Sequence, residues 1–324
     1  ALPLACAALV TLAACDDDDL VEPTASATFE VTIENVSAAY AHPSSGTLAV
    51  PAGAAGPGPL LPGGVYEFSF AAPPGASLSV ATMMLQSNDF FYAPDGNGIA
   101  LWNPDGSQVT GDVTSQVRLW DAGTEADGEP GRGPDQAPRQ PGADSGADDP
   151  NANVRLAADA FGNLPAVDDV VRVTLTSTGP TSWTARVENV SDGTTLSTSD
   201  GATHPVPLAP GVFVVHTDAD PLFTVGQPDR GEGLEGVAED GAAMGLGDAL
   251  ASRTGVTGVL APGAYAVHRV PSVLFAAGSP DPGVGLEGVA EDGAAAGLAG
   301  ALGSDPRVSA AGAFDTPDGA PGPG

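Results

Sequence analysis

Residues 85–98, LQSNDFFYAPDGNG, set one carboxylate, Asp89, between two apolar segments. Met83, Met84 and Leu85 precede it, and Phe90, Phe91 and Tyr92 follow it. Aromatic residues make up only 5% of the chain, so three in succession mark a core segment with an acid at its mouth. A second run, WDAGTE, places Asp121 directly after an apolar strand pattern that ends at Trp120, with Glu125 further along. A calcium ion takes about six to eight oxygen ligands, drawn from carboxylates, carbonyls and water. Two neighbouring strand ends can bring Asp89 and Asp121 to one rim, and Gly123 and Thr124 permit a tight turn that points carbonyls or Glu125 inward. The same residues also suit a plainer role, in which each Asp caps a turn through an Asx hydrogen bond. Residue types alone leave both readings open.

The other reactive side chains form weaker sets. Asp95, Gly96, Asn97 and Gly98 match a piece of an EF-hand loop, but the Glu required at its twelfth position is missing, so a turn is expected. His216 and His268 end strand patterns and suit structural positions. The glycines of GEGLEG and GVGLEG follow no buried parallel strand, which argues against a dinucleotide site. Glu239–Asp240 and Glu291–Asp292 are adjacent residues on a helical pattern and so diverge. Trp102, Trp120 and Trp183 suit core or rim packing better than a sugar platform. Both cysteines, Cys6 and Cys15, lie in the first fifteen residues, leaving the rest without a disulfide, a thiol nucleophile or a cysteine metal site. With four His in all a zinc enzyme is not the expectation, and no Ser-His-Asp set stands out.

The chain of 324 residues carries 41 acidic residues against 10 basic ones, all of them Arg, for a formal net charge of -31. That balance argues against nucleic acid, which is bound by cationic side chains neutralising phosphates, and against docking on anionic lipid. It suits cation binding, a saline habitat or simple solubility. The 44 Gly and 31 Pro approach the range of disordered chains, yet 42% of residues are hydrophobic and β-branched runs recur.

Strand signals must therefore position the acids. FEVTIENVS (29–37) and VYEFSF (65–70) alternate apolar and polar residues with the period of a half-buried strand. SLSVATMML (77–85), GIALW (98–102), QVRLW (116–120), NVRLA (153–157) and DVVRVTLTS (169–177) follow, separated by turn clusters such as LPGG, PPGA and NPDG. This spacing predicts an antiparallel β-sandwich. Residues 121–153 break the rhythm with no apolar periodicity, a loop long enough to be functional or mobile unless something holds it.

The C-terminal half repeats itself. LAPGVFVVH begins at Leu208 and LAPGAYAVH at Leu260, and GLEGVAEDGAA begins at Gly233 and again at Gly285, so both pairs are 52 residues apart. Each copy predicts a turn, a strand, an apolar loop around Phe223 or Phe275 and a helical segment broken by Gly241 or Gly293. FEVTIENVS also echoes WTARVENVS (183–191), and the closing DTPDGAPGPG echoes GAAGPGPLLPGG (53–64). The second half thus reads as the front of a domain with one unit duplicated, and the first half as a domain shortened at its front. At the N-terminus, the apolar run ending in LAAC resembles a bacterial lipoprotein signal. That resemblance implies lipidation of Cys15, with Asp16–Asp19 as a hydrated spacer and the membrane as a partner through the anchor only.

Taken in order, FEVTIENVS, GPGPLLPGGVYEFSF, MMLQSNDFFYAPD, VRLWDAGTE and GPDQAPRQ resemble bacterial spondin-domain proteins, relatives of the N-terminal module of F-spondin and mindin. The resemblance covers most of residues 29–140, and the LAPG…VH and GLEGVAEDG elements fit the same pattern. It implies a mainly β, antiparallel sandwich of spondin type with short helical segments in the C-terminal repeat. It also implies a structural calcium ion (Ca2+) held by Asp89 and Asp121, with Glu125 in the place of a second Asp, and no catalysis. The expected organisation is a signal segment (1–15), an acidic tether (16–27), a spondin-like sandwich (28–178) and a partial second region with the tandem repeat (179–324). The expected function is a secreted, lipid-anchored cell-envelope module that binds or adheres to an unidentified surface ligand. A carboxylate-dependent extracellular hydrolase and a purely structural envelope protein are the alternatives.

Overall fold

The computed structural model describes residues 4–8, 29–38, 40–256, 260–268, 270 and 273–314, with residues 4–8 and 29 described as backbone only. The strands are β1 (Leu4–Ala8), β2 (Phe29–Ile33), β3 (Ser44–Leu48), β4 (Val65–Ala71), β5 (Ser77–Met84), β6 (Phe90–Pro94), β7 (Ile99–Ala100), β8 (Gly111–Asp112) and β9 (Val117–Asp121). They continue with β10 (Arg155–Leu156), β11 (Val171–Gly179), β12 (Ser182–Asn189), β13 (Leu196–Ser197), β14 (Thr203–His204), β15 (Leu208–His216), β16 (Gly263–His268) and β17 (Val308–Phe314). The helices are α1 (Leu234–Asp240), α2 (Ala243–Ala251), α3 (Leu286–Asp292) and α4 (Ala295–Gly303). The protein is mainly β, as the strand patterns predict, and its named strand pairs are antiparallel.

The chain divides into two compact units, residues 39–256 and residues 1–38 with 257–324. In the first, one sheet has the order β10-β9-β6-β5-β15-β3, with β7 pairing β5, and the other the order β4-β12-β11-β8. Their inner faces share one core. Val171, Val173 and Leu175 of β11 and Trp183, Ala185 and Val187 of β12 meet Leu78, Val80, Tyr92, Phe213 and Val215 of the larger sheet. Along β11 and β12 buried residues alternate with more exposed ones, because one face is packed and the other is wet. The Trp183 indole donates to the Val109 carbonyl (3.0 Å), and Phe213 stacks on Phe68 with ring centroids 4.2 Å apart.

Both faces of the larger sheet are covered. Its outer face carries α1 and α2, with Ala81, Phe91, Ala93, Trp120, Val212 and Val214 packed against Leu234, Val237, Leu246 and Leu250. That double cover explains why all five residues of β6 are buried and why the apolar run through β5 is nearly continuous. It also makes a strand of FFYAP, a segment the alternation rule passes over because it does not alternate. Gly241 ends α1 in the left-handed conformation (φ 63°), the C-terminal stop expected of the repeat.

The expected boundary between 178 and 179 falls at the end of β11, inside the β11–β12 hairpin. β12 pairs with β4 along its length, and β15 lies between β5 and β3. Residues 179–256 therefore complete the sandwich begun by residues 40–178. In the other unit, β1 pairs with β2, β16 pairs with β17, and Val273, Leu298 and Leu302 form a small core. Leu4–Ala8, inside the expected signal segment, is thus a strand, while Cys15 and Asp16–Asp19 lie outside the described residues. Among the described residues no helix is long and apolar enough to cross a membrane.

His216 closes β15 inside the sandwich at 1% exposure. Its Nδ1 faces the Asp218 carbonyl (2.6 Å), so that nitrogen carries the proton, and Nε2 accepts from the Ser79 hydroxyl (2.9 Å). Burial lowers its pKa from 6.5, against the opposing pull of Asp218. A neutral buried imidazole contributes stability above 6.5 that is lost as the pH falls through its lowered folded value, because the unfolded chain takes up the proton first. Thermal melts of the wild type and His216→Gln at pH 8 and pH 5 should show the wild type losing more of its Tm on acidification.

Candidate metal centre

The pairing of β6 with β9 positions the acids. Phe90 opposes Asp121 in that register, so Asp89, one residue before β6, lies beside the last residue of β9. Both are 0% exposed. Asp121 is the final strand residue itself, whereas the sequence pattern places it just beyond the strand.

Each acid uses one oxygen as a turn cap. Asp89 Oδ2 accepts from the Thr124 amide (2.8 Å), the Thr124 hydroxyl (3.2 Å) and the Glu125 amide (3.2 Å). Asp121 Oδ1 accepts from the Gly123 amide (2.8 Å). The capping role is therefore real, but it leaves the second oxygens over. Asp89 Oδ1 is buried without a hydrogen-bond partner, as is Oδ1 of Asp127. Asp121 Oδ2 sits 2.5 Å from Arg155 Nη2, which also meets Asp149 Oδ2 at 2.5 Å. Ligand oxygens of Asp89, Asp121 and Asp127 lie within 4.8 Å of one another.

Three carboxylates at this distance, facing one guanidinium shared with a fourth, are electrostatically frustrated. Burial, then the charges of Asp89 and Asp127, push Asp121 up to about 7. Burial and the Asp89 charge push Asp127 up to about 6. Asp89 is raised by burial, against hydrogen bonds from Thr124 and Glu125 and the Arg155 charge. Such a site relieves its repulsion by binding protons or a cation. The three side chains offer oxygen donors only, which suits a hard cation such as calcium or magnesium over zinc or copper.

Glu125 does not join this trio. It accepts from the Asn88 side chain (3.2 Å) and the Gly146 amide (2.7 Å) and groups instead with Asp144 and Glu239. Glu239 is 3% exposed. Burial first, then the Glu125, Glu235 and Asp89 charges, push it up to about 8, against a hydrogen bond from the Thr124 side chain. Its neighbour Asp240 accepts from Gln140 (2.5 Å). The duplicated AED run thus clasps the long loop from α1. Gln136, wholly buried, holds the same loop from within: its Oε1 accepts from Gly131 and Gly133, and its Nε2 donates to Asn88 Oδ1 and the Glu129 carbonyl. Residues 122–153 are therefore held by side chains together with a few backbone bonds, such as Ala126 to Ala147 and Asp149 to Thr124.

Asp127 is the ligand candidate that sequence reasoning passed over. No spacing rule singles it out, because Glu125 and Asp127, two residues apart in this irregular loop, turn to different acidic clusters. With Asp127 as the half-buried outer member of the trio, Asp127→Asn should stabilise the protein in chelator at pH 8 by about 1 kcal/mol through loss of one repelling charge, read from thermal melts. Comparison of the chain with protein-family models, with curated proteins and with solved structures gives no match, so the reading of this centre stands on its own geometry.

Proposed function

We propose that the chain is a non-catalytic surface-binding module, spondin-like in type, whose loop end is organised by a structural calcium ion at Asp89, Asp121 and Asp127. The observation that carries this reading is the pair of wholly buried carboxylates, Asp89 and Asp121, joined by Asp127 with spare oxygens and too little positive charge around them. A bound divalent ion would supply the missing positive charge and tie the end of β9 to the start of β6. Asp89 would then hold the ion through Oδ1 while Oδ2 keeps the Thr124–Glu125 turn. Arg155 would continue to orient Asp121 and Asp149.

Burial weighs against the hydrolase alternative. A glycosidase pair must flank a bound substrate, with carboxyls about 5–5.5 Å apart or more. Asp89 and Asp121 are wholly buried and converge with Asp127 on one point, which leaves no room for a sugar between them. The LAAC run supports placing the module at the cell envelope, tethered through lipid on Cys15. That tether is checked separately by fractionation: Cys15→Ala should move the protein from the membrane to the soluble fraction.

Calorimetric titration of the chelator-stripped chain with calcium should give saturable heat. Calcium at a hundred times its Kd should add about 2.7 kcal/mol of stability. Asp89→Asn should remove most of that gain. No heat together with an unchanged Tm would overturn the metal reading.

A further inference from the structure

Strand β10 sets a guanidinium beside the acidic centre. In its register with β9, Arg155 opposes Asp121. The strand is gripped on its other side as well, where the Val154 amide donates to the Gln227 carbonyl (2.9 Å) and the Gly226 amide to the Val154 carbonyl (2.8 Å). The residues leading into it press on the turn that caps Asp121. A Cβ on Gly123 (φ 72°) would meet backbone atoms of Asn151, Ala152 and Asn153 at 2.8, 2.9 and 2.9 Å. The side chain is fixed too. Nη1 donates to the carbonyls of Asn151 (2.6 Å) and Asn153 (3.1 Å), and Nη2 donates to Asp149 Oδ2 (2.5 Å). Asp149 is held in turn, its Oδ1 accepting from the Asn151 amide (2.7 Å).

The contact with Asp121 is of another kind. Arg155 Nη2 lies 2.5 Å from Asp121 Oδ2, yet that oxygen has no hydrogen-bond partner. The guanidinium directs its hydrogen bonds to Asp149 and the two carbonyls and offers Asp121 its charge alone. That charge is felt at Asp89, Asp121 and Asp127 alike. The Arg155 side chain is 28% exposed and that of Asp121 not at all, so solvent and salt screen the interaction only in part. The centre also keeps an oxygen aimed inward that Arg155 does not serve, Asp89 Oδ1, which is unpartnered on a wholly buried residue. A metal ion held through Asp121 Oδ2 would share that acceptor with the guanidinium, and the two positive charges would repel across it.

We propose that Arg155 is a built-in competitor cation of this centre, which offsets the carboxylates in the ion-free chain and, by repelling an incoming divalent ion, sets the affinity lower than the carboxylates alone would give. This inference rests on the calcium reading above and adds the regulation of that site. Asp149 and the carbonyls keep the guanidinium in place, so its charge stays beside the ion after the ion arrives. Removing the charge therefore tightens ion binding and weakens the ion-free fold, two changes in opposite directions. Loss of a residue that only oriented Asp121 would weaken ion binding instead, because a ligand would be misplaced. Repulsion scales with the charge of the ion, so a trivalent lanthanide gains more from the removal than calcium does.

The test titrates the chelator-stripped full chain and Arg155→Gln with calcium chloride and with terbium chloride by calorimetry, and melts both proteins in chelator. Asp89→Asn supplies the background from other acidic residues. Arg155→Gln should bind calcium about tenfold and terbium about thirtyfold more tightly than the wild type, the trivalent gain being half as large again on a logarithmic scale. Its Tm in chelator should be lower. Arg155→Lys, which keeps the charge, should show no such gain. Arg155→Met, which keeps the aliphatic stem, reads the same sign should Arg155→Gln fail to fold. Calcium binding by the wild type, with equal or weaker binding by the charge-free variants, would overturn the inference and leave the metal reading intact. A gain for calcium that terbium does not exceed would overturn it as well. No calcium heat from any of these chains would overturn the metal reading, and this inference with it.

Discussion

The antiparallel contact between β6 and β9 is the constraint on which the site depends. It is a strand pair inside a sheet covered on both faces, by the second sheet on one side and by α1 and α2 on the other. Phe90 and Phe91 are held by that cover, and Asp89 is carried with them to the end of the pair, opposite the last residue of β9. Hydrophobic burial of neighbours is thus what places two carboxylates in a low-dielectric pocket. No feature of the acids themselves would put them there, since ionised carboxylates resist burial. Their energy is lowered by backbone amides of the following turn and by Arg155, and the arrangement leaves oxygen lone pairs directed at a shared point.

The long loop after β9 extends the same logic. It lacks ladder hydrogen bonds over most of its course, yet Gln136, Glu125 and Asn88 supply its backbone with partners, and its Glu129 carboxylate accepts from the Ser199 amide. Buried amides without such partners would be costly. Glu239 and Asp240 fasten it from α1, so the helix of the repeat and the acidic centre are parts of one network. A substitution in the GLEGVAEDG run would be felt at the rim through Thr124, which donates to Asp89 and approaches Glu239.

Much of this was legible in the residues. Alternation located β4, β11 and β12, because period-2 burial leaves a direct trace in sequence, and the expected ends of β5 and β9 are close to those observed. The pairing of Asp89 with Asp121 followed from both lying at strand ends. β6 was hidden because a strand covered on both faces does not alternate. Glu125 was misplaced and Asp127 passed over for one reason: in an irregular loop the direction of a side chain is set by long-range partners, here Asn88 and the amide of Gly146, and spacing does not encode those. The extent of the sandwich was hidden as well. Sequence echoes divide the chain by ancestry, whereas β12 pairs with β4 and β15 with β3 according to which edges are open.

The placement of β15 between β5 and β3 has a consequence for biogenesis. A ribosome releases β3, β5 and β6 long before residues 208–216 exist, so the nascent chain carries a bare, greasy sheet edge through more than a hundred further codons. Chains whose closing contacts span such separations fold slowly and are prone to misassembly meanwhile.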